Sequence, residues 1–307
     1  MAELLKSLAT QTQLPLELIV IEDGSTQRCD HLFADYAERL NIRYHYKPNT
    51  GRSDSRNVGM RMATGDYFIF FDSDCIIPPQ YIQTVSNQLK HHYTDAYGGP
   101  DAAHPDFSAL QKAISYSMTS FLTTGGIRGG KKQMEKFCPR SFNMGISRKA
   151  YEATQGYRDM LGEDIDLSLR IGQVGMHTQL IREAFVYHKR RVDLAKFWKQ
   201  VHTFGQGRIS LSLLHPSSLK LVHLAPAVFT VGVVGVLILS FFYPLLLSLL
   251  GLYAFLLLID ATYQTKNLSI GLLAVVTSFV QLLGYGTGFI KAFFLKVICR
   301  QSLETRY

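Results

Sequence analysis

The stretch LELIVIEDGS, Leu16 to Ser25, carries four aliphatic residues in a row and then two acids and a glycine, which predicts a buried strand ending in a turn. HLFADYAERL, residues 31–40, has the spacing of an amphipathic helix, and IRYHYK, 42–47, alternates as a short strand. RSDSRNVGMRMA, 52–63, is helical in pattern, with Ser53 or Asp54 as amino-terminal cap. DYFIFFDSD, 66–74, is a second continuous apolar strand, and PQYIQTVSNQLKHH, 79–92, the helix after it. Beyond the YGGPDAAH turn, RSFNMGISRKAYEATQGY predicts a strand and a helix. LGEDIDLSLRIGQVG then predicts a helix with acids in its first turn, and TQLIREAFVYHKRR a last strand reaching His188. Alternation of this length implies an α/β fold: a mostly parallel, Rossmann-like sheet with helices on both faces. In such sheets ligands sit beyond the carboxyl ends of strands, where IED and FFDSD both place acids.

The pattern changes near Leu221. No formally charged residue occurs from there to Ile259, long enough for two spans broken at Pro244. After DATYQTKN comes a third apolar stretch, Leu268 to Ile290. The expected organisation is a soluble domain, 1–220, followed by a membrane region, 221–307, of two to three apolar helices and a short basic tail. Two full spans with a re-entrant third keep that tail on the same side as the soluble domain, as the positive-inside tendency favours. KFWKQVHTFGQGRISL, 196–211, suits the membrane interface, and TTGGIRGGKK, 123–132, reads as a surface loop or a lid over substrate.

Composition narrows the partners. A net charge of +8 fits lipid head groups or diphosphates, and with no nucleic-acid module in the chain, nucleic acid is not an expected partner. The 307 residues carry 18% charged and 12% aromatic residues, which argues against disorder. The four cysteines lie far apart with no CxxC pair, as in a reduced cytosolic setting, and MAELLKSLATQTQ is not a signal peptide. The question is chemical at Asp72-Ser73-Asp74. Two acids at the end of an apolar strand repel one another unless something positive sits between them, and a divalent cation answers that need.

IVIEDGST, SDSRNVGM, FIFFDSDC, NMGISR and GEDIDLSLRI, in this order and spacing, resemble the family 2 inverting glycosyltransferases with the GT-A fold. The resemblance covers nearly all of the first 220 residues, and the carboxy-terminal spans are similar to those of membrane-associated bacterial members. It implies transfer of a sugar from a nucleotide diphosphate donor, a UDP-sugar, to a cell-envelope glycan or lipid-linked acceptor at the cytoplasmic face of the inner membrane. The donor residues it implies are Asp23, Arg56, Asp72 and Ser73. Asp23 would accept from the uracil ring, and the Arg56 fork suits phosphate oxygens. Asp74, with Asp72 and His188, would hold Mn²⁺ or Mg²⁺ on the diphosphate, where the cation stabilises the leaving group.

Asp164 is the expected general base, with Glu163 beside it orienting the acceptor. Asp166 is expected to be structural, Asn57 and Gly59 to serve packing, and Lys189, Arg190 and Arg191 to hold pyrophosphate or anionic lipid. Three residues have a blander reading: Asp23 as a turn former, Arg56 as a surface helix arginine, His188 as a satisfied core or surface histidine. The sequence departs from the family in two ways. The first strand, which belongs beside LELIVIED, is missing, since MAELLKSLAT looks like the helix that follows it. Gln-x-x-Arg-Trp, the mark of processive members, is also absent, which favours single-sugar transfer. Two other readings compete: a catalytically inactive membrane scaffold with a truncated GT-A domain, and a phosphohydrolase that also carries DxD after an apolar strand.

Overall fold

The structure, a computed structural model, describes residues 1–125 and 138–301. In chain order the elements are α1 (Ala2–Ala9), β1 (Leu18–Asp23), β2 (Ile42–Lys47), α2 (Arg52–Met62), β3 (Tyr67–Phe71), β4 (Cys75–Ile76), α3 (Tyr81–His91), β5 (Ala96–Gly98) and β6 (Asp101–Ala102). Then come α4 (Ala109–Thr119), α5 (Phe121–Thr124), β7 (Asn143–Ser147), α6 (Arg148–Thr154), α7 (Glu163–Gln173), β8 (Thr178–Leu180) and β9 (Val186–His188). The last four helices are α8 (Leu194–Leu214), α9 (Leu221–Leu239), α10 (Leu247–Thr265) and α11 (Leu268–Ala292). The elements form two compact groups, residues 1–102 with 138–188 and, separately, the helices α4, α5 and α8–α11.

In the first group β3 explains its own composition. Phe68 and Phe70 face a core with Met60 of α2, Ala150 of α6 and Leu167 and Ile171 of α7. Tyr67, Ile69 and Phe71 face the opposite core, with Leu4 and Leu8 of α1 and Tyr81, Ile82 and Val85 of α3. A strand covered on both faces is apolar at every position. The pairing is mixed, because β7 lies antiparallel between β3 and β5, while β8 runs parallel to β5. β1 pairs in parallel with β2 in a separate two-stranded sheet, and among the described residues no strand pairing joins that sheet to β3.

Glu17 ties these two sheets together. Its carboxylate accepts from Thr64 N at 2.6 Å and Gly65 N at 3.2 Å, just before β3, and from Arg43 Nη1 on β2 at 2.7 Å. Burial pushes this carboxyl up, but the Thr64 N–H and Arg43 outweigh it and hold it at about 2 instead of 4.5. A depressed folded pKa gives stability that is complete above pH 4.5 and is lost as the pH falls toward 2. Glu17→Gln is therefore expected to destabilise the protein by about 1–3 kcal/mol at pH 7 and to flatten the acid limb of its melting curve. An acid limb unchanged from wild type would remove Glu17 from this role.

Several local expectations change. HLFADYAERL forms two 3₁₀ turns, Asp30–Leu32 and Ala34–Tyr36, rather than a helix; Leu40 is buried and Tyr36 packs on the same core, while Leu32 and Phe33 stay half-buried. The cap of α2 is Gly51, at φ +95°, where a side chain would be strained, and Ser53 and Asp54 lie inside the first turn. YGGPDAAH contains the end of β5 and all of β6, and the last strand is divided into β8 and β9. Residues 126–132 of TTGGIRGGKK lie outside the described residues.

In the second group three helices are long and apolar enough to cross a membrane: Leu221–Leu239, Pro244–Thr265 and Leu268–Ile298. The third is continuous, so the chain reversal expected of a re-entrant segment is not there. Glycines set the approach of α8 to α11. A Cβ at Gly205 would stand 2.1 Å from Tyr285 O, and one at Gly288 2.0 Å from His202 O. Small residues that let backbones approach this closely are the usual device where lipid removes the hydrophobic drive for helix pairing.

Candidate active site

The acids expected at strand ends gather around one arginine. Arg56, one turn into α2, points its guanidinium between two carboxylates: Nη2 lies 3.1 Å from Asp72 Oδ1 and Nη1 lies 3.0 Å from Glu163 Oε1. Its face covers the Tyr157 ring at 5.4 Å. Arg56 is thus a buried bridge, not a surface helix arginine. Burial works against its charge, yet Asp72, Tyr157 and Glu163 together raise its pKa. Arg52 Nε adds a second contact to Glu163 Oε1 at 3.1 Å. Glu163 is almost fully buried, and burial, followed by the Asp164 charge, raises its pKa.

Asp164 turns the other way. Its Oδ1 accepts from Ile165 N at 2.8 Å and stands 3.9 Å from Arg140 Nη1, with the side chain partly exposed. Asp166 is fully buried against Arg170, at 2.8 Å, and Arg158. Arg170 also donates to the carbonyls of Thr154 and Gly156, so this acid fixes α7 on its neighbours, as its structural reading requires.

Asp74 and His188 meet at the β4–β9 pair, with His188 Nε2 3.2 Å from Asp74 Oδ1. The imidazole stacks on Phe142 at 4.5 Å, and its Nδ1 is buried without a hydrogen-bond partner among the described residues. Cys75 joins them: one ligand atom from each of the three residues lies within 4.8 Å of the others. Burial pushes the Cys75 thiol up, so it is a poor ligand in its neutral form. A carboxylate oxygen and an imidazole nitrogen 3.2 Å apart fit a divalent cation. Asp72 lies outside this cluster, paired with Arg56. Ser73 is exposed in the turn between them, and its carbonyl accepts from the Met1 amino group at 3.0 Å.

Asp23 is built into the loop before α2. It accepts from Thr50 N and Gly51 N, both at 2.9 Å, and from the Lys47 ammonium. Burial opposes the Asp23 charge, but Lys47 and these N–H groups hold its pKa down. A carboxylate has about four acceptor sites, so about one remains for an outside donor. Lys47 went unremarked in the sequence, although it ends β2 in register with Asp23 and also meets Asp54 at 3.1 Å. Tyr157, Arg52 and Arg140 carried no sequence signal either; their roles depend on contacts with Arg56, Glu163 and Asp164, which lie 101, 111 and 24 positions away.

Asn57 does the packing expected of it, exchanging two 2.8 Å hydrogen bonds with the Tyr157 backbone. Gly59 makes no unusual approach: a Cβ there would meet Ile21 at an ordinary 3.7 Å.

Residues 1–154, which carry β1–β3, the two DSD aspartates and β7, match the description of glycosyl transferase family 2. The chain belongs to that family. Among curated relatives, this family 2 chain is 25% identical over 232 residues to a glucosyl-dolichyl phosphate glucuronosyltransferase of Haloferax volcanii, covering 71% of this chain and 74% of that one. It is 39% identical over 82 residues to the glycosyltransferase YibD of Escherichia coli, a match that takes in 26% of this chain and 24% of that relative. Among solved structures it resembles the mannosyltransferase PcManGT of Pyrobaculum calidifontis, in complex with GDP-Man and Mn²⁺. The TM-score is 0.56 at 16% identity, over 96% of this chain and 83% of that one. That likeness shows the fold, the GT-A architecture expected from the motifs.

Proposed function

We propose that this family 2 chain is a membrane-anchored, metal-dependent inverting glycosyltransferase that takes a sugar from a nucleoside diphosphate donor, a UDP-sugar. The observation that carries this reading is the Arg56 bridge, which joins the DSD turn after β3 to the acid pair opening α7. The nucleotide lies at the ends of β1 and β3, with the last acceptor site of Asp23 facing the base and Asp72 and Ser73 facing the ribose. Asp74 and His188 hold Mn²⁺ or Mg²⁺, which when bound neutralises charge on the departing diphosphate. Asp164 accepts the proton of the acceptor hydroxyl as the alcohol attacks the anomeric carbon, and the diphosphate leaves from the opposite face with its electron pair. Arg56 and Arg52 hold Glu163 Oε1, so that Asp164 serves as base and Glu163 as anchor.

The acceptor is a lipid-linked or growing cell-envelope glycan, handled at the cytoplasmic face of the inner membrane. Three apolar helices and a relative named for a dolichyl phosphate substrate support that placement. A thermal-shift series on detergent-purified protein tests the donor site, using UDP, GDP and CMP with and without Mn²⁺. A ligand bound only by the folded state adds about 2.7 kcal/mol at a hundredfold excess over its Kd. Metal-dependent stabilisation by UDP, lost in Asp74→Ala, is the expected result. A response to GDP alone corrects the nucleoside, and no response to any nucleotide favours the inactive scaffold.

A further inference from the structure

A cavity of about 440 Å³ opens at the turn between α10 and α11, well away in sequence from the acids of the candidate active site. Lys112 of α4, Lys266, His104, Tyr116, Gln264 and Asn267 are among its lining residues, and no carboxylate is. Two acids stand close by and both are engaged. Asp106, 90% exposed, faces His104 at 3.6 Å. Asp260 accepts from Tyr116 Oη at 2.5 Å and from Gln264 Nε2 at 2.9 Å, which fixes both side chains in the cavity wall. Lys112 Nζ donates one hydrogen bond, to Pro105 O at 2.5 Å, and so keeps further donors for a ligand. The lining is therefore cationic, with hydroxyl and amide donors added. The amino-terminal end of α11, 25 residues long and capped by Asn267, opens at the same place with its positive dipole end.

The surroundings of the cavity say what kind of anion fits. Lys266 and Asn267 are the short polar turn between the second and third apolar helices. The residues on either side present hydrocarbon outward: Ile259 and Tyr263 on α10, and Leu268 and Leu272 on α11, are all more than half exposed. A ligand with a phosphate head and an apolar tail satisfies both halves, the head at the lysines and the tail along the helices. A free phosphate satisfies only the first.

We propose that this cavity binds the phosphate head group of a lipid. The proposal rests on the membrane-anchored reading above but not on the transferase chemistry. The head group belongs either to an anionic phospholipid or to a prenyl phosphate, and the experiment separates the two. Native mass spectrometry of the full chain released from detergent is run with phosphatidylglycerol, farnesyl phosphate, phosphatidylcholine and inorganic phosphate in turn. Wild type is expected to retain phosphatidylglycerol or farnesyl phosphate and to discard the other two. Lys112→Gln/Lys266→Gln is expected to weaken retention by about 25-fold, about fivefold for each lysine, while Lys149→Gln, on α6, leaves it unchanged.

Tighter binding of farnesyl phosphate marks the cavity as a place for a lipid-linked substrate, and tighter binding of phosphatidylglycerol marks a bound membrane lipid. Equal retention by the double variant, equal retention of phosphatidylcholine, or inorganic phosphate binding as well as either lipid overturns the proposal. The same samples are melted with UDP, GDP and CMP and Mn²⁺. A double variant that loses lipid and keeps its nucleotide response is folded. A wild type that binds lipid but no nucleotide sinks the transferase reading and leaves this one standing.

Discussion

Asp164→Asn is expected to lower sugar transfer by about 10³-fold, within the range for loss of a positioned general base, while nucleotide binding persists. The change is nearly isosteric. An amide oxygen can keep the 2.8 Å hydrogen bond from Ile165 N, so α7 retains its first turn. On the proposed mechanism, what is lost is the carboxylate that takes the proton from the acceptor alcohol. Glu163 is no substitute, since its oxygen is held by Arg56 and Arg52 at 3.0 and 3.1 Å and is almost wholly buried. Removing the neighbouring charge should also bring the raised pKa of Glu163 down, because Asp164 is the second cause of that rise after burial. Turnover and the nucleotide-dependent thermal shift are measured on the same preparation. Turnover within threefold of wild type, with the shift intact, would take the base assignment away from Asp164.

Arg56→Met is expected to destabilise the fold by about 3–5 kcal/mol, the usual consequence of removing one partner from a buried charge pair. The guanidinium touches both Asp72 and Glu163, and without it the nearly buried Glu163 is left with the half-exposed Arg52 as its cationic neighbour. Arg56→Lys should recover part of the loss in stability but not the full bridge, since one ammonium nitrogen cannot stand where both Nη1 and Nη2 stand. Adding Glu163→Gln to Arg56→Met should restore stability, because the stranded charge is gone. Thermal unfolding of the single and double variants measures this coupling. Additive losses would mean that Arg56 and Glu163 act independently.

The legible parts of this chain are those in which local pattern and burial agree. YFIFF reads as a strand covered on both faces because Phe68 and Phe70 on one side and Tyr67, Ile69 and Phe71 on the other each meet helices. IRYHYK is a strand over its whole quoted length. The helices RSDSRNVGMRM and EDIDLSLRIGQ begin and end within a residue or two of where the pattern puts them. HLFADYAERL shows the limit. It has a helical spacing, but Leu40 is its one fully buried residue, and a face so thinly covered does not hold ten residues in a helix.

The candidate site divides along the same line. The acids at Asp23, Asp72, Asp74, Glu163 and Asp164 stand out in the sequence because carboxylates at strand ends and in a first helical turn are conspicuous against apolar neighbours. Which acid meets which cation does not. Arg56 and Glu163 are 107 positions apart, and Asp74 meets His188 across a pair of two- and three-residue strands that no periodicity marks. The same holds for Lys47, whose register with Asp23 is fixed only when β1 and β2 align.

By itself the sequence determined the α/β class, the family motifs, the change to apolar helices near Leu221 and the set of acids available for chemistry. Each is written locally, in periods of two or 3.6 residues or in runs of hydrocarbon. The tertiary structure alone decided that Asp72 pairs with Arg56 rather than joining Asp74 and His188. It also grouped α4 and α8, which lie within residues 1–220, with the apolar helices. Both follow from side-chain contacts between distant segments, whose free energies depend on distance and burial in three dimensions and leave no mark on the order of the residues.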